Sequence, residues 1–451
     1  MSQAQVNLRI AQRFERLPLT SYQRLIFATI VTCWLFDAID LGSLTFVLGS
    51  IKETFNLTTA QAGLVSSASF LGMAFGASLS GMAADRWGRK LIFQISMIIW
   101  GLGSLFCALA QTPEQFAMFR IMLGFGMGME FPIGQALVSE FMPAKNRGRY
   151  IAMLEGLWPI GFILAGVEVF LILPLGGWRW VFIAQAIPAV FIFFFRKIVP
   201  ESPRWLDDVE RYDEAERVMS FFEAKVQKAY GKELPPVPDI EYNTRKKEKR
   251  FSFMQLWAPG YAKRTILVWF MWFSICFGYY GLTTWLSALL QQAGYSVTKS
   301  VFYTIEISLA GIPGFLFAAY IVERFGRKPA LIFELIGCAG FVYLYGSASS
   351  LQNLIIFGLC MQFCLFGMWS ALYAYTPELY PTRARTTGTG FASGIGRVGS
   401  LIGISLVGVL LPKIGNTGVF IMGAACFILV AIAVGIFGEE TKGRVLEEIS
   451  P

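Results

Sequence analysis

The chain has 451 residues, of which 55% are hydrophobic and only 15% charged, with 41 Phe and no His. A soluble protein carries roughly 25% charged residues, so composition excludes an ordinary water-soluble domain. The formal net charge of +8 calls for no nucleic-acid partner, because membrane topology accounts for where the charges lie.

Residues 1–23 are polar, with Arg9, Arg13 and Arg16 and no small-residue cleavage site behind a short apolar core, so no cleavable leader is expected. Twelve apolar blocks follow, at about 24–49, 60–83, 91–110, 116–139, 150–173, 178–196, 264–290, 300–322, 329–348, 353–376, 386–411 and 418–437. Each is about 20 residues or more, enough to cross about 30 Å of hydrocarbon as a helix. Most lack the polar face that a helix in a soluble core would show. They are called spans 1 to 12 below, and the lipid bilayer is the first partner they predict. The seven cysteines fall within these blocks without metal-ligand spacing, and Cys360 and Cys364 read as packing residues. No cofactor is expected, and no phosphate loop, nucleophile arrangement or metal cluster points to an enzyme.

Between alternate spans lie Arg86, Arg89 and Lys90; Lys145, Arg147 and Arg149; Arg324, Arg327 and Lys328; and Arg383 and Arg385. Both termini and the segment 196–264 are also basic, while the opposite loops hold single residues such as Lys52, Lys299 and Lys413. The positive-inside rule places both termini in the cytoplasm.

Two separate motifs recur at one offset. "GMAADRWGRK" (81–90) is answered by "AYIVERFGRK" (319–328), and "EFMPAKNR" (140–147) by "ELYPTRAR" (378–385). Asp85 and Glu323, Glu140 and Glu378, Pro143 and Pro381, and Arg147 and Arg385 are each 238 apart. The chain is therefore an internal repeat of six spans: 1–199 as one half, 200–262 as a cytoplasmic linker, and 263–451 as the second half. In the linker, Asp207 to Tyr230 is charged with spaced Val218, Phe221, Phe222 and Val226, which reads as short amphipathic helices. "PPVPD" (235–239) breaks them, and "RKKEKR" (245–250) reads as a solvated run facing lipid headgroups.

With these motifs the sequence resembles the major facilitator superfamily of transporters over nearly its whole length. "GMAADRWGRK" matches the superfamily's loop motif, and the second copy departs from it at Ala319 and Glu323. "PESPRWL" (200–206) and the tail "GEETKGRVLEEI" (438–449) are similar to segments of sugar-porter-like members, although Gly438 stands where Pro would help end the helix. The resemblance implies an all-α fold of two pseudo-symmetric six-helix halves, working by alternating access as a monomer. It also implies a gate that latches one state: Asp85, Arg86, Arg89, Glu140, Arg147 and Glu155 in the first half, and Glu323, Arg324, Arg327, Glu378 and Arg385 in the second.

An ionisable group at membrane depth costs on the order of 3 kcal/mol and tends to face a cavity or a partner. Asp37 and Asp40 in "WLFDAIDLGSLTF" are three residues apart on one face of span 1. Two nearby carboxylates in low dielectric disfavour double ionisation. In a chain without histidine they are the natural proton carriers; the alternative is that one aspartate pairs permanently with a base. Glu130 lies in "GFGMGMEFPIG" beside Gly124, Gly126 and Gly128. Arg120, with Gly124, resembles the Arg-and-glycine pattern of proton-coupled relatives, or else snorkels near the outer end of span 4. Glu168 and Glu334 lie near span ends, and Glu306 is a further candidate. Arg397 in "FASGIGRVGS" is the cation deep in the second half; its planar fork suits a carboxylate, whether substrate or internal acid. Trp272, Tyr279 and Tyr280 in span 7, Trp369 and Tyr373 in span 10, and Trp158 in span 5 supply rings and hydroxyls that can clamp a flat ring.

Span 7 reads "WFSICFGYYGL" where sugar porters carry a Gln-Gln-x-Ser-Gly run, which disfavours sugar. The span 1 stretch resembles the bacterial niacin-transporter group, related to synaptic-vesicle-glycoprotein-like proteins and aromatic-acid proton symporters. The resemblance implies proton-coupled import of a small aromatic carboxylate such as nicotinate across the inner membrane. Arg397 would hold the carboxylate, the aromatics of spans 7 and 10 the ring, and Asp37, Asp40, Glu130 or Arg120 the coupling charge. The alternatives are an organic-cation or drug exporter, another metabolite symporter, or a sensor built on the same fold.

Overall fold

Two kinds of cap fix where the long helices begin. Four of them start after a hydroxyl side chain that accepts a backbone N–H of the first turn: Thr58 from Gln61, Thr112 from Gln115, Ser296 from Lys299 and Ser350 from Asn353. Two others start after a glycine in the left-handed region, Gly88 (φ 101°) and Gly326 (φ 111°), and are capped by a carboxylate from elsewhere in the chain. In the computed structural model, residues 10, 12–14, 16–237, 256–258, 261–292, 294–380 and 385–442 are described, without the side chains of 144, 145, 147, 148, 152, 193, 196 and 385–387.

Among these residues ten helices are long and apolar enough to cross a membrane. Spans 1 to 4 are Ser21–Thr54, Thr59–Trp87, Arg89–Leu109 and Pro113–Phe141. Spans 9 and 10 are Arg327–Gly346 and Leu351–Glu378. Arg149–Phe191 and Gly388–Phe437, at 43 and 50 residues, are about twice the length a bilayer requires. Each is folded at one glycine with positive φ, Gly177 (74°) and Gly415 (67°), three residues after Pro174 and Pro412. The expected blocks 5 and 6, and 11 and 12, are therefore pairs of legs joined by a kink rather than helices separated by loops. Span 7 breaks into Ala262–Thr283 and Leu286–Gln292, and span 8 into Val297–Ser308 and Gly311–Phe325. The kink glycines and the two capping glycines are again 238 residues apart, so the repeat reaches into backbone geometry.

Tight packing follows from small residues. A Cβ on Gly124 would stand 2.0 Å from the Ser69 carbonyl oxygen, and one on Gly128 2.3 Å from that of Met73. Spans 2 and 4 thus meet backbone to backbone, as the glycines of span 4 suggest. Between the halves, the face opposite the chain ends is closed. Ser67 of span 2 and Ser405 of span 11 share a hydrogen bond of 2.9 Å. Phe170 of span 5 lies 6.3 Å from Phe302 of span 8, ring centre to ring centre.

On the face that carries the chain ends, the linker forms the helices Pro203–Asp208 and Tyr212–Tyr230. The second buries Phe222 and Val226, as its amphipathic pattern requires, but leaves Phe221 exposed. Phe222 sits among the rings of Phe14, Tyr22 and Phe141, each 5.5 Å away. Arg13 pairs with Glu216 and Glu223, and Arg16 with Glu223, all at 2.7 Å. Burial alone would push the Glu223 carboxyl up; the bonds from the two arginines outweigh it and hold it below the ordinary carboxylate value. The basic run 245–250 and the last two residues of "PPVPD" lie outside the described residues.

Candidate functional site

The residues expected to form a gate make the same set of contacts twice. Arg89 lies 2.9 Å from Asp85 and 3.4 Å from Glu140; Arg327 lies 3.5 Å from Glu323 and 3.0 Å from Glu378. The backbone N–H groups of Arg89 and Lys90 donate to Glu201 Oε1 at 3.1 Å, and those of Arg327 and Lys328 to the Glu440 carboxylate, also at 3.1 Å. A carboxylate against free amides at a helix N-terminus gains from both hydrogen bonds and dipole. Glycine is required at the junction: a Cβ on Gly88 would stand 2.4 Å from Glu201 Oε2, and one on Gly326 2.6 Å from Glu440 Oε2. Burial pushes the Glu201 carboxyl up, against the pull of the Ser202, Lys90 and Arg89 amides. Sequence reading singled out "PESPRWL" and the tail without assigning Glu201 or Glu440 this role. Arg86 and Arg324 turn outward instead, over the rings of Trp87 and of Tyr320 and Phe325. The side chains of Arg147 and Arg385 lie outside the described residues.

Inside the first half, the two aspartates part company. Asp40 is fully buried, with Oδ1 3.3 Å from Arg120 Nη1 and Oδ2 accepting the Trp100 indole N–H at 3.0 Å. Arg120, also fully buried, donates to Ser69 Oγ at 3.1 Å and lies over the Phe182 ring. It does not snorkel; its guanidinium ties spans 1, 2, 4 and 6 together. Asp37 is fully buried with neither oxygen partnered, in electrostatic reach of Glu130, whose Oε1 is likewise unpartnered. Glu168 belongs to a third polar group, accepting from Gln185 Nε2, which also donates to Ser43 Oγ. Glu334 is buried with both oxygens unpartnered, beside Gly367 in the second half.

The aromatic residues gather between the halves. Trp369 is the hub, 6.1 Å from Trp272, 5.3 Å from Tyr279, 6.3 Å from Tyr280 and 5.7 Å from Tyr373, ring centre to ring centre. The Trp272 indole N–H is committed to Thr376 Oγ1 at 2.9 Å, so Trp272 offers a ring but no donor. From the first half, Phe131 stacks on Trp158 at 5.7 Å, and the Arg397 guanidinium lies over Phe131 at 5.1 Å. Glu155, expected among the gate residues, is in electrostatic reach of Arg397, Tyr280 and Tyr373. A small cavity of about 30 Å³ lies beside the cluster, lined by residues of both halves, including Gly42, Thr45, Trp158, Tyr280, Thr284 and Phe366.

Sequence reading missed Phe131, Phe366, Thr283, Thr284 and Gln362. Phe366 was legible, because it falls on the helical face of Trp369 and Tyr373 at spacings of three and seven. Gln362, one turn further along that face, is fully buried with neither amide atom partnered. Phe131 carried no signal beyond its place beside Glu130.

The comparisons with known proteins bear on this arrangement. Residues 29–451 match the family model described as sugar (and other) transporter. The chain is 36% identical over 441 residues to the niacin transporter NiaP of Acinetobacter baylyi, covering 98% of this chain and 99% of that one. It is 32% identical to a candidate niacin/nicotinamide transporter, also named NiaP, of Bacillus subtilis, covering 94% and 98%. Among solved structures it is similar to the inward-open xylose transporter XylE of E. coli, with a TM-score of 0.70 at 21% identity, covering 94% and 99%; that likeness concerns the fold. The chain is thus a multi-pass membrane transporter rather than an enzyme, and it belongs to the sugar (and other) transporter family of the major facilitator superfamily.

Proposed function

We propose that this transporter imports a small aromatic carboxylate, most simply nicotinate, together with protons, by alternating access across the bacterial inner membrane. It does so as a monomer with both termini in the cytoplasm. The observation that carries the reading is the placement of Arg397, a half-buried residue whose guanidinium lies over the Phe131 ring and in electrostatic reach of Tyr280 and Tyr373, rings that in turn pack against Trp158 and Trp369. A flat ring bearing one carboxylate is complementary to such a group: charge-assisted bonds fix its anionic end and stacking its faces. The names of the relatives, niacin transporters in two bacteria, support the same substrate. Asp37, Asp40 and Glu130 are the proposed proton-carrying groups, since carboxylates are the natural carriers in a chain without histidine, and Arg120 belongs to the coupling set through its ion pair with Asp40. Coupling requires that protonation change the relative affinity of the two facing states. The test is uptake of radiolabelled nicotinate by proteoliposomes under an imposed pH gradient. Accumulation that follows the gradient and vanishes in Arg397→Ala is expected. Uptake indifferent to the gradient removes proton coupling, and uptake unchanged in Arg397→Ala removes the carboxylate site.

A second reading, an organic-cation exporter, draws on the unpartnered oxygens of Asp37 and Glu130. Competition between an aromatic cation and nicotinate that is lost in Asp37→Asn would favour it.

A further inference from the structure

Among the described residues, interior charges of the two halves approach each other at Glu155 of span 5 and Arg397 of span 11. Glu155 is 6% exposed. Its Oε1 accepts a hydrogen bond from Gln135 Nε2 at 2.7 Å, and its Oε2 is buried without a partner. The groups that face it are Gln135 of span 4, Tyr280 of span 7, Tyr373 of span 10 and Arg397. Of these only Arg397 is a cation. Arg149, on its own helix, is exposed. Glu155 and Arg397 are electrostatic neighbours, yet no ion pair within 4 Å joins them among the described residues. The guanidinium instead leans on the face of Phe131.

We infer that Glu155 is an internal stand-in for the substrate carboxylate: it balances Arg397 while the site holds no anion, and it takes a proton when a substrate carboxylate seats on that guanidinium. The inference rests on the carboxylate reading above. Two carboxylates at one guanidinium repel each other in low dielectric. Once the substrate neutralises Arg397, Glu155 keeps only the Gln135 N–H. A buried carboxylate left without its counter-charge costs more than the same group protonated. The exchange balances: one anion and one proton enter, the proton coming from water on the side to which the site is then open, and the net charge between the halves is unchanged. Because the carboxylate is in one half and the arginine in the other, proton uptake is tied to a site that exists only when both halves contribute. This gives substrate and proton a shared point of linkage apart from the Asp37–Glu130 pair.

The experiment is calorimetric titration of nicotinate into the purified full-length chain in nanodiscs, in buffers of different ionisation enthalpy. The wild type should take up about one proton per nicotinate bound and Glu155→Gln about none, because the uptake belongs to that carboxyl. Glu155→Gln should also bind nicotinate about tenfold tighter, the size of an ordinary coupling between sites. Glu155→Asp should restore the uptake, and nicotinamide, with the same ring but no charge, should bind without it. As a readout that needs no variant, a protonated-carboxyl C=O band should appear in the wild type's infrared difference spectrum on adding nicotinate. Wild-type proton uptake in Glu155→Gln, loss of nicotinate binding in that variant, or absence of the infrared band overturns the role of Glu155 and leaves the carboxylate reading standing. Failure of the wild type to bind nicotinate, or unaltered binding in Arg397→Ala, overturns both.

Discussion

The two halves share one ion-pair cluster at the chain-end face and have unlike interiors. At the chain-end face the correspondence is nearly atom for atom: Arg89 with Asp85 and Glu140, Arg327 with Glu323 and Glu378, each helix start held by a carboxylate from Glu201 or Glu440. Inside the membrane it disappears. At the same 238-residue offset, Asp37 meets Ile275, Asp40 meets Gly278, Arg120 meets Gly358, Glu130 meets Met368, and Arg397 meets Pro159. The repeat thus preserves the ion pairs and capped helix starts at the chain-end face and distributes the interior charges unequally between the halves. Among the described residues the first half holds a buried ion pair and the unpartnered oxygens of Asp37 and Glu130, and the second holds the buried, unpartnered Glu334 and an arginine lying over Phe131 of the first half. On the proposed function, the matched clusters serve a motion common to both halves, and the unlike interiors serve a charged solute.

The contrast is broken most strongly at Asp40 and Arg120. Arg120→Ala leaves Asp40 buried without its cation, and removing one partner of such a pair costs about 3–5 kcal/mol. A large fall in detergent melting temperature is expected, smaller in the double variant Asp40→Asn/Arg120→Ala. Equal melting of single and double variants would show that the pair is not coupled. Arg397→Ala should do the reverse, leaving the melting temperature within a few degrees while weakening nicotinate binding on the order of a hundredfold, the scale of a lost charged hydrogen-bond pair. If Arg397→Ala melts like Arg120→Ala, the division between a structural and a binding arginine is wrong.

The shared gate predicts paired effects. Gly88→Ala and Gly326→Ala each place a Cβ against a capping carboxylate at a positive φ, for about 1–3 kcal/mol apiece. Similar losses of stability in the two variants would sharpen the symmetry, and a loss confined to one would break it. The smallest effect is expected at the clamp between the N-terminal segment and the linker helix, Arg13 and Arg16 on Glu223. Its carboxyl is held below the ordinary value, so its contribution is fully present above that value and is lost as pH falls through the lower, folded-state one. A fluorescence pair on the N-terminal segment and the Tyr212–Tyr230 helix should stay close at neutral pH and separate only in acid. Separation already near neutral pH would rule the clamp out.

Much of this architecture was legible in the sequence because its causes are local. Apolar length fixes the crossings, and the basic loops fix which connections share a face. The glycines of span 4 announce close packing before any partner is known, and the 238-residue offset of two motifs reveals the halves. Legibility failed where a side chain's role depends on what another span brings to it. Asp37 and Asp40 share a helical face, yet one turns to Arg120 and the other to Glu130, because three residues are enough to separate their neighbours in a bundle. Glu155 lies beside the basic loop in sequence, and only the structure brings it the Gln135 amide of span 4 and the charge of Arg397 from the other half. Sequence alone therefore determined the class, the crossings, the repeat and the set of charged residues, all of which follow from hydrophobicity and spacing along one chain. Which acid meets which base was decided only by tertiary structure, because at membrane depth a charge is defined by its partner, and partners lie on helices distant in sequence.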